Sequence, residues 1–346
     1  MATIHDVAER AGVSAATVSR FLRGQRVRSA EAIQAAVDEL GYWPSAAAQS
    51  LKSGRTRTIG VVVPDITNPY FAAVVKGMET VTRSQRYRIL LANSDESGDR
   101  EDEVLVDMVR QVDGVVLAPA TEQDRTPLYV RDAGIPMVFL DRDLAGGEDF
   151  DAVLVNNHDG GWQAAQHLLG LGHTHVAAIS GGHDTTPGRL RRDGFVGALA
   201  EAGVTLADGC DLEGDFREEG GYQLALSLLS LPEPPTAIFT GNNLMTLGAL
   251  KAMHDMRVDV PGQVSLIGFD DLDTGPLLHP PLTVIDRPMA EQGVLAMRLL
   301  LRRFDAQYAA DTPRRIIMDT KLVQRASTAP PRATHGGGRS AGRSAK

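Results

Sequence analysis

The sequence predicts an α/β protein in which a small N-terminal three-helix domain precedes a two-lobed core of doubly wound parallel sheets. Within residues 3–40, apolar residues recur at helical spacing in three short segments. At Ile59 the chain enters a continuous apolar run, which is typical of a buried parallel strand. Strand-like and helix-like segments alternate from there in two successive sets, and this repetition indicates two similar lobes.

The composition is that of a soluble globular protein, with 43% apolar and 23% charged residues in a chain of 346. Residues 1–58 hold eight basic and five acidic side chains, a net charge of +3, whereas the remainder holds 27 and 39, a net charge of −12. A basic head on an acidic body is expected when a small nucleic-acid-binding unit is joined to a domain that does not contact phosphate.

The sequence also indicates a compartment. The single cysteine, Cys210, allows no intrachain disulfide, which is typical of a reducing environment. The N-terminus enters helical sequence without the features of a signal peptide, and no apolar run is long enough to span a bilayer. We therefore expect a cytoplasmic protein with no membrane partner.

Residues 3–22 are predicted to form two short helices joined by a tight turn. Thr3 and Ser14 are placed to cap these helices, and Gly12 allows the chain to reverse between them. Small residues and Arg20 remain on the outer face of the second helix. This is the helix-turn-helix pattern, which lays its second helix in a DNA major groove, where an arginine can pair with guanine. An ordinary helical hairpin is the alternative.

A third helix is expected to start after Ser29, as its cap, and to end at Gly41, which completes a DNA-binding domain over residues 1–44. The alanine-rich segment 45–57 follows. It is too short to be a stable helix in water by itself, so we expect it to fold only against a partner.

The core is predicted to span residues 58–328, with lobe one over 58–156 and 286–312 and lobe two over 157–285 and 313–328. Residues 329–346 lack an apolar period and are expected to be a disordered tail. Ligands of open α/β sheets bind at the carboxyl ends of the strands. Polar or aromatic residues follow several predicted strands there: Asp65 and 68–71, Asp141, the loop 181–191, Asn242 and Asp270.

From residue 3 to about residue 327 the sequence resembles the lactose-repressor (LacI/GalR) family of bacterial transcription regulators. The most specific motifs are D-V-A-x-x-A-G-V-S-x-x-T-V-S-R at 6–20, L-G-Y at 40–42 and I-G-V-V-V-P-D-I-T-N-P-Y-F at 59–71. Shorter motifs support them: L-G-H at 171–173, R-x-x-G-F at 191–195 and G-F-D-D at 268–271. The resemblance implies an allosteric repressor that binds DNA as a homodimer on a pseudo-palindromic operator.

The same resemblance implies which residues contact DNA. They are Thr3, Ile4, His5, Ser14, Ala15, Ala16, Thr17, Ser19, Arg20, Ala48 and Leu51. Leu51 matches the apolar wedge of the family's hinge helix, which enters a minor-groove step and kinks the duplex. The segment 24–30 is shorter than usual in the family, so no phosphate contacts are assigned to the start of the third helix. Because Ala15 and Ala16 are small, specificity is expected to depend on Arg20, Leu51 and DNA deformability.

For the effector, the resemblance implies a cleft between the lobes. Its residues are Tyr70, Phe71, Asp141, Thr185, Arg191, Phe216, Asn242 and Asp270. Carboxylates with an amide and a guanidinium suit a polyhydroxylated ligand such as a sugar or sugar derivative. A purine or nucleoside acting as co-repressor is the alternative. Asn243 stands where the family usually has aspartate, so no role is assigned to it.

Other classes of protein have less support. The sequence contains no dinucleotide-binding, P-loop or nucleophile-elbow motif, so we expect neither an enzyme nor a cofactor. His173 and His175 have a spacing that could suit a metal, but no further ligands are near and a structural role is expected. The core alone resembles periplasmic sugar-binding proteins; the helix-turn-helix argues against a solute receptor.

Overall fold

The computed structural model describes residues 2–22, 24–43, 55–122 and 126–332, and the chain forms two compact units. The first unit comprises residues 1–58 with 111–113, and the second comprises the rest of the chain. None of the helices in the described ranges combines the length and the hydropathy that a bilayer crossing requires.

The first unit contains three helices, α1 (Ile4–Arg10), α2 (Ala15–Leu22) and α3 (Ala30–Leu40). Their buried apolar residues form one small core: Val7, Ala8, Val18, Ile33 and Ala36. Thr3 and Asp6 make a capping box at the start of α1, in which each side chain accepts a hydrogen bond from the other residue's backbone N–H. The core explains why three short helices are stable together, because each covers the apolar face of the others.

The ends of α2 and α3 test the predicted caps. Ser14 Oγ accepts a hydrogen bond of 3.3 Å from the Thr17 backbone N–H, as expected. Gly41 ends α3 in the left-handed conformation, with φ of 56°. The predicted cap at Ser29 is wrong, since its side chain makes no capping hydrogen bond. Its ψ of 30° departs from the extended backbone that aims an N-cap oxygen at the first turn.

The second unit follows in chain order. Its elements are β1 (Thr58–Val63), α4 (Pro69–Ser84), β2 (Arg88–Asn93), α5 (Gly98–Met108), β3 (Gly114–Leu117), α6 (Thr126–Asp132), β4 (Met137–Leu140), β5 (Asp151–Val155), α7 (Asn157–Gly170), β6 (Val176–Ser180), α8 (Thr186–Glu201), β7 (Asp211–Glu213), α9 (Glu218–Leu229), β8 (Ala237–Thr240), α10 (Asn243–Asp255), β9 (Ser265–Phe269), β10 (Thr283–Asp286), α11 (Met289–Arg302), β11 (Arg315–Met318) and β12 (Lys321–Val323). The alternation of strands and helices agrees with the predicted doubly wound class.

These strands form two sheets, one in each lobe. The first sheet has the order β11-β5-β4-β3-β1-β2 and the second β12-β10-β9-β8-β6-β7. Neighbours such as β1 and β3, or β8 and β9, pair in parallel, whereas β12 pairs with β10 in the antiparallel sense. In the second sheet, Ala177 and Ile179 pack in one apolar cluster, and Val176 and Ala178 pack in another on the opposite face. Helices cover both faces, which explains why the strands are continuously apolar.

The predicted division of the last strands is corrected by the sheet register. The sequence predicts that residues 313–328 belong to lobe two, but β11 pairs with β5 of lobe one, with Arg315 opposite Ala152. Ile316 and Met318 pack against the core of that lobe. The apolar pattern predicts a single strand over residues 315–322, but the structure has two short strands there in different sheets, and the chain changes lobes between β11 and β12.

The predicted start of a disordered tail at residue 329 is also corrected. The backbone N–H of Ala329 donates to Ser265 Oγ at 3.0 Å, and its carbonyl oxygen lies 2.8 Å from His173 Nε2. The other nitrogen of His173 contacts Thr236, so this imidazole has the structural role expected of it. Residues 333–346 lie outside the described residues.

Candidate DNA-contacting helix and effector cleft

Helix α2 presents the side chains predicted to read DNA. Ala16 and Arg20 are exposed, Ala15 and Ser19 are half-buried, and Val18 is fully buried against the other two helices. Thr17 Oγ1 accepts a hydrogen bond of 3.3 Å from Arg20 Nη2 and lies 2.9 Å from Ser14 Oγ. The outer face of α2 therefore carries a short row of polar groups with a guanidinium at one end. Ala48 and Leu51 lie outside the described residues.

In the second unit, one arginine joins the two lobes through buried ion pairs. Arg287 follows β10, and its Nε and Nη2 donate to the two carboxylate oxygens of Asp270 at 2.5 and 2.9 Å. Its Nη1 donates to Asp141, which follows β4 in the other lobe. All three side chains are at most 5% exposed. The guanidinium carbon also lies 3.6 Å from the centroid of the Tyr70 ring, whose hydroxyl donates to Gln292 Oε1 at 2.7 Å.

Burial and neighbouring charges shift the pKa values of Asp141, Arg287 and Tyr70. Burial disfavours the charged carboxylate of Asp141, but Arg287, Arg191 and Arg142 outweigh that effect and lower the pKa of Asp141. Burial also disfavours the guanidinium of Arg287, and the two aspartates reverse this and raise its pKa. Burial raises the pKa of the Tyr70 hydroxyl, which therefore stays neutral. The lowered pKa of Asp141 and the raised pKa of Arg287 keep both partners of the ion pair between the lobes charged.

Three of the predicted cleft residues have a left-handed backbone. The φ angles are 64° for Asp141, 62° for Phe216 and 71° for Asp270. This conformation is uncommon for residues other than glycine, and such strain often occurs at functional sites. Its recurrence at strand ends in both lobes indicates that the backbone there is held to aim these side chains.

Arg191 lies on α8 and is fully buried. Its Nε donates to Asn157 Oδ1 at 2.8 Å, and its Nη1 donates to the carbonyl oxygen of Gly241 at 2.6 Å. The guanidinium stacks on Phe269, 3.6 Å from the ring centroid. Burial and the positive charge of Arg287 lower the pKa of Arg191 to about 10.

Close helix packing brings Asn157 and Arg191 together. A Cβ atom at Gly161 would lie 2.0 Å from the carbonyl oxygen of Arg191, and one at Gly194 would lie 1.9 Å from that of His158. Any larger residue at either position would push α7 away from α8. The two glycines therefore allow the contact between the amide and the guanidinium.

Further polar contacts join the lobes around this centre. Glu122 of lobe one accepts hydrogen bonds from Thr186 and from Arg189 of lobe two, the latter at 2.9 and 3.1 Å. Arg217 donates to Asp95 across the lobes at 3.1 Å. Side chains of both lobes therefore contact one another at the rim as well as at the centre.

The predicted cleft residues make three kinds of contact, which are electrostatic, helix-capping and aromatic. Tyr70, Asp141, Arg191 and Asp270 all interact electrostatically with one another or with Arg287. Thr185 and Asn242 instead cap helices, accepting from the backbone N–H groups of Gly188 and Met245. Asn242 Nδ2 also donates to the Phe216 carbonyl oxygen at 2.8 Å, and the Phe216 ring lies 5.2 Å from the Arg142 guanidinium. Phe71 packs edge-to-face on Tyr70 within the core of lobe one.

Residues 3–45 match the family described as bacterial regulatory proteins, lacI family, and residues 165–328 match a periplasmic binding protein-like domain. The ribose operon repressor of Escherichia coli is 38% identical over 309 residues, which cover 88% of this chain and 93% of that protein. The chain belongs to the lacI family. It is accordingly a DNA-binding transcription regulator.

Other lacI-family proteins align over much of the chain. The HTH-type transcriptional repressor PurR of Yersinia enterocolitica is 35% identical over 334 residues, 95% of this chain and 97% of that protein. A Lac repressor dimer bound to operator and an anti-inducer has a TM-score of 0.82 at 25% identity, covering 95% and 99% of the two chains. A regulator from Enterococcus faecalis with bound ribose has a TM-score of 0.71 at 32% identity, covering 79% and 99%.

Sequence reasoning missed several residues of this lacI-family cleft. Arg287 directly follows β10, Gln292 lies on α11, and Asn157 begins α7. The rule that selected Asp270, namely position directly after a strand, applies equally to Arg287. Asn157 and Gln292 lie on helices, so a rule based on strand ends could not select them.

Proposed function

We propose that this lacI-family regulator is a homodimeric repressor whose affinity for operator DNA is set by a sugar or sugar derivative bound between its lobes. The observation that carries the proposal is the ion pairing of Arg287 with both Asp141 and Asp270, one aspartate from each lobe. A ligand that bonds to this group contacts both lobes at once, so its binding can favour one orientation of the lobes over another.

The proposed operator contacts are those of the predicted DNA-binding residues. Helix α2 lies in the major groove, with Arg20 donating to guanine O6 and N7 and with Ala15 and Ala16 close to the bases. Ser14 and Thr17 bind phosphate. Two protomers then read two half-sites, and Leu51 of each enters the minor groove at the centre. The dimer is proposed by similarity to the operator-bound Lac repressor dimer.

The cleft chemistry suits a ligand with several hydroxyl groups. Carboxylate oxygens of Asp141 and Asp270 accept from hydroxyls, and guanidinium and amide N–H groups donate to them. Because each sugar hydroxyl both donates and accepts, a mixed set of buried acids, guanidiniums and amides can pair with all of them. The regulator from Enterococcus faecalis holds ribose, which supports this class of ligand by similarity.

A purine or nucleoside acting as co-repressor is the second candidate, suggested by similarity to PurR. One observation favours the sugar over the purine. A purine is best held against an aromatic face, yet one face of Tyr70 and one face of Phe269 are already covered by guanidiniums at 3.6 Å. On these two ring faces, a guanidinium therefore already occupies the position that a stacked purine would take.

A thermal-shift screen of the full chain tests the proposal. The compounds are D-ribose and other sugars, sugar phosphates, polyols, purines and nucleosides, since a ligand that binds only the folded state raises the melting temperature. We expect a stabilising sugar or sugar derivative that also changes operator affinity, and the direction of that change identifies an inducer or a co-repressor. Stabilisation by a purine alone, or no stabilisation with normal operator binding, contradicts the proposal.

A further inference from the structure

Three guanidiniums are buried in and around the cleft, and they differ in how their charge is compensated. Arg287 pairs with Asp141 and Asp270, and Arg142 pairs with Glu96 through two hydrogen bonds of 2.6 and 2.7 Å. Arg191 is 1% exposed and has no ion pair with any described carboxylate. Burying a cation without a counter-ion costs free energy, so an anion bound beside Arg191 would be stabilising.

The contact between Arg191 and Asn157 fixes the orientation of the amide. The guanidinium Nε carries a hydrogen and can only donate, so Asn157 must present its oxygen to it. The Nδ2 group of Asn157 is therefore the free end of the amide. Both this Nδ2 and Arg191 Nη2 are buried and have no acceptor among the described residues. Two donors belonging to touching side chains thus remain unsatisfied, which is rare in folded proteins.

The nearby carboxylates of Asp141 and Asp270 do not form an ion pair with Arg191. Asp270 and Asp141 are close enough to raise the pKa of Arg191, but burial and Arg287 outweigh them and lower it. Both carboxylates are already bonded to Arg287, which also neutralises much of their repulsion toward an incoming anion. The Gly241 carbonyl oxygen takes only Nη1, and Phe269 covers one face of the guanidinium.

We propose that the effector is an anionic sugar, with a carboxylate or phosphate whose oxygens accept hydrogen bonds from Arg191 Nη2 and Asn157 Nδ2. The inference rests on the proposed function and narrows the ligand from sugars in general to those bearing an oxyanion. A charge-assisted bond to a buried guanidinium is stronger than a bond between neutral groups, so the oxyanion contributes much of the affinity. The hydroxyl groups then contact Asp141, Arg287 and Asp270.

Calorimetric titration of the full chain with matched ligands tests this. The first set is D-ribose, D-ribose 5-phosphate and D-ribonate, and the second is D-glucose, D-glucose 6-phosphate and D-gluconate. We expect the tightest ligand to be anionic and to bind at least about tenfold tighter than its neutral sugar. Whether the phosphate or the acid is preferred identifies the source of the oxyanion. A neutral sugar that binds as tightly as both of its anionic forms overturns the inference.

The variant Asn157→Asp sharpens the test. It places a carboxylate beside Arg191, which supplies the missing counter-ion and leaves the melting temperature of the free protein unchanged or higher. We expect its loss of affinity to be at least about tenfold larger for the anionic ligand than for the matched neutral sugar. The matched control is Arg192→Gln, one residue along the same helix, where the guanidinium pairs instead with Asp211.

The two proposals fail in different ways. Tight binding of a neutral sugar that changes operator affinity, with Asn157→Asp unaffected, leaves the proposed function intact and contradicts the anionic ligand. If neither set binds and operator affinity is unchanged by all six compounds, the anionic inference fails together with sugar control itself.

Discussion

The outer face of α2 and the cleft of the second unit hold their functional side chains in opposite ways. On α2, Arg20 and Ala16 are exposed, and the Arg20 guanidinium donates to Thr17 of the same short helix. In the cleft, Asp141, Arg287 and Asp270 are buried and come from three strand ends in two lobes. The first surface suits a large partner that docks from outside. The second suits a small ligand that replaces or extends buried contacts.

The two regions therefore depend differently on the rest of the fold. Removing an exposed side chain of α2 leaves nothing unpaired, so only binding is affected. Removing a charge in the cleft leaves a buried partner unpaired, so stability is affected as well. Substitutions in the two regions distinguish these cases.

Arg287→Ala is expected to have the largest effect. It leaves Asp141 and Asp270 buried without their shared cation, which should lower the free energy of unfolding by about 3–5 kcal/mol. Urea unfolding followed by far-UV circular dichroism measures this. Arg131→Ala, at a half-exposed arginine near Asp149, is the control and should change little. A loss no larger than the control's contradicts the structural account of the cleft.

Arg20→Ala is expected to weaken operator binding without affecting stability or ligand binding. Loss of a bidentate contact to guanine costs about 1–3 kcal/mol, or roughly 5- to 150-fold in affinity. Fluorescence anisotropy with operator DNA and with an unrelated duplex separates specific from nonspecific binding. Arg10→Ala, on α1 and paired with Glu39, serves as the control. Equal losses on both duplexes indicate a phosphate contact instead.

Low pH is expected to lower the stability of the fold, because it protonates the carboxylate of Asp141. Because the pKa of Asp141 is lowered in the folded state, its carboxylate contributes stability above the unfolded value of 3.8, and this is lost as the pH falls below that value. The melting temperature of the wild type should therefore approach that of Asp141→Asn as the pH is lowered from about 6 to about 3. A constant difference across this range contradicts the ion pairing.

Thr3→Ala should have the smallest effect. It removes the oxygen that caps α1, and a lost N-cap costs about 1 kcal/mol. The loss should be confined to the first unit, which proteolysis or hydrogen exchange of residues 3–40 can report separately from the core. Thr205→Ala, at an exposed loop position, is the control. Destabilisation of both units to the same degree contradicts the local role of the cap.

The same contrast explains what the sequence could predict. Motifs confined to one short segment, such as the capped helices around Thr3 and Ser14, depend on neighbours along the chain and are readable from it. The capping bond predicted for Ser29 does not form, and residue type alone cannot reveal this because it does not determine the ψ angle. The sequence predicts one strand where β11 and β12 lie, because the pattern of apolar residues does not specify which sheet each half joins.

The cleft was predictable only in part, for a related reason. Asp141 and Asp270 follow apolar strands and could be selected by position. That Arg287 joins them depends on the chain returning from one lobe to the other, which is a property of the tertiary fold. The proximity of Asn157 to Arg191 depends on two glycines that let α7 and α8 approach. Neither relationship is visible in the spacing of residues along the chain.

We propose that DNA binding and ligand sensing reside in separate regions of the chain and are coupled. The most direct test is operator affinity of the wild type and of Arg191→Ala, measured by anisotropy with and without the stabilising ligand from the screen. We predict that both proteins bind operator equally well, within about twofold, when no ligand is present, and that only the wild type responds to the ligand. A normal ligand response by Arg191→Ala would contradict the account.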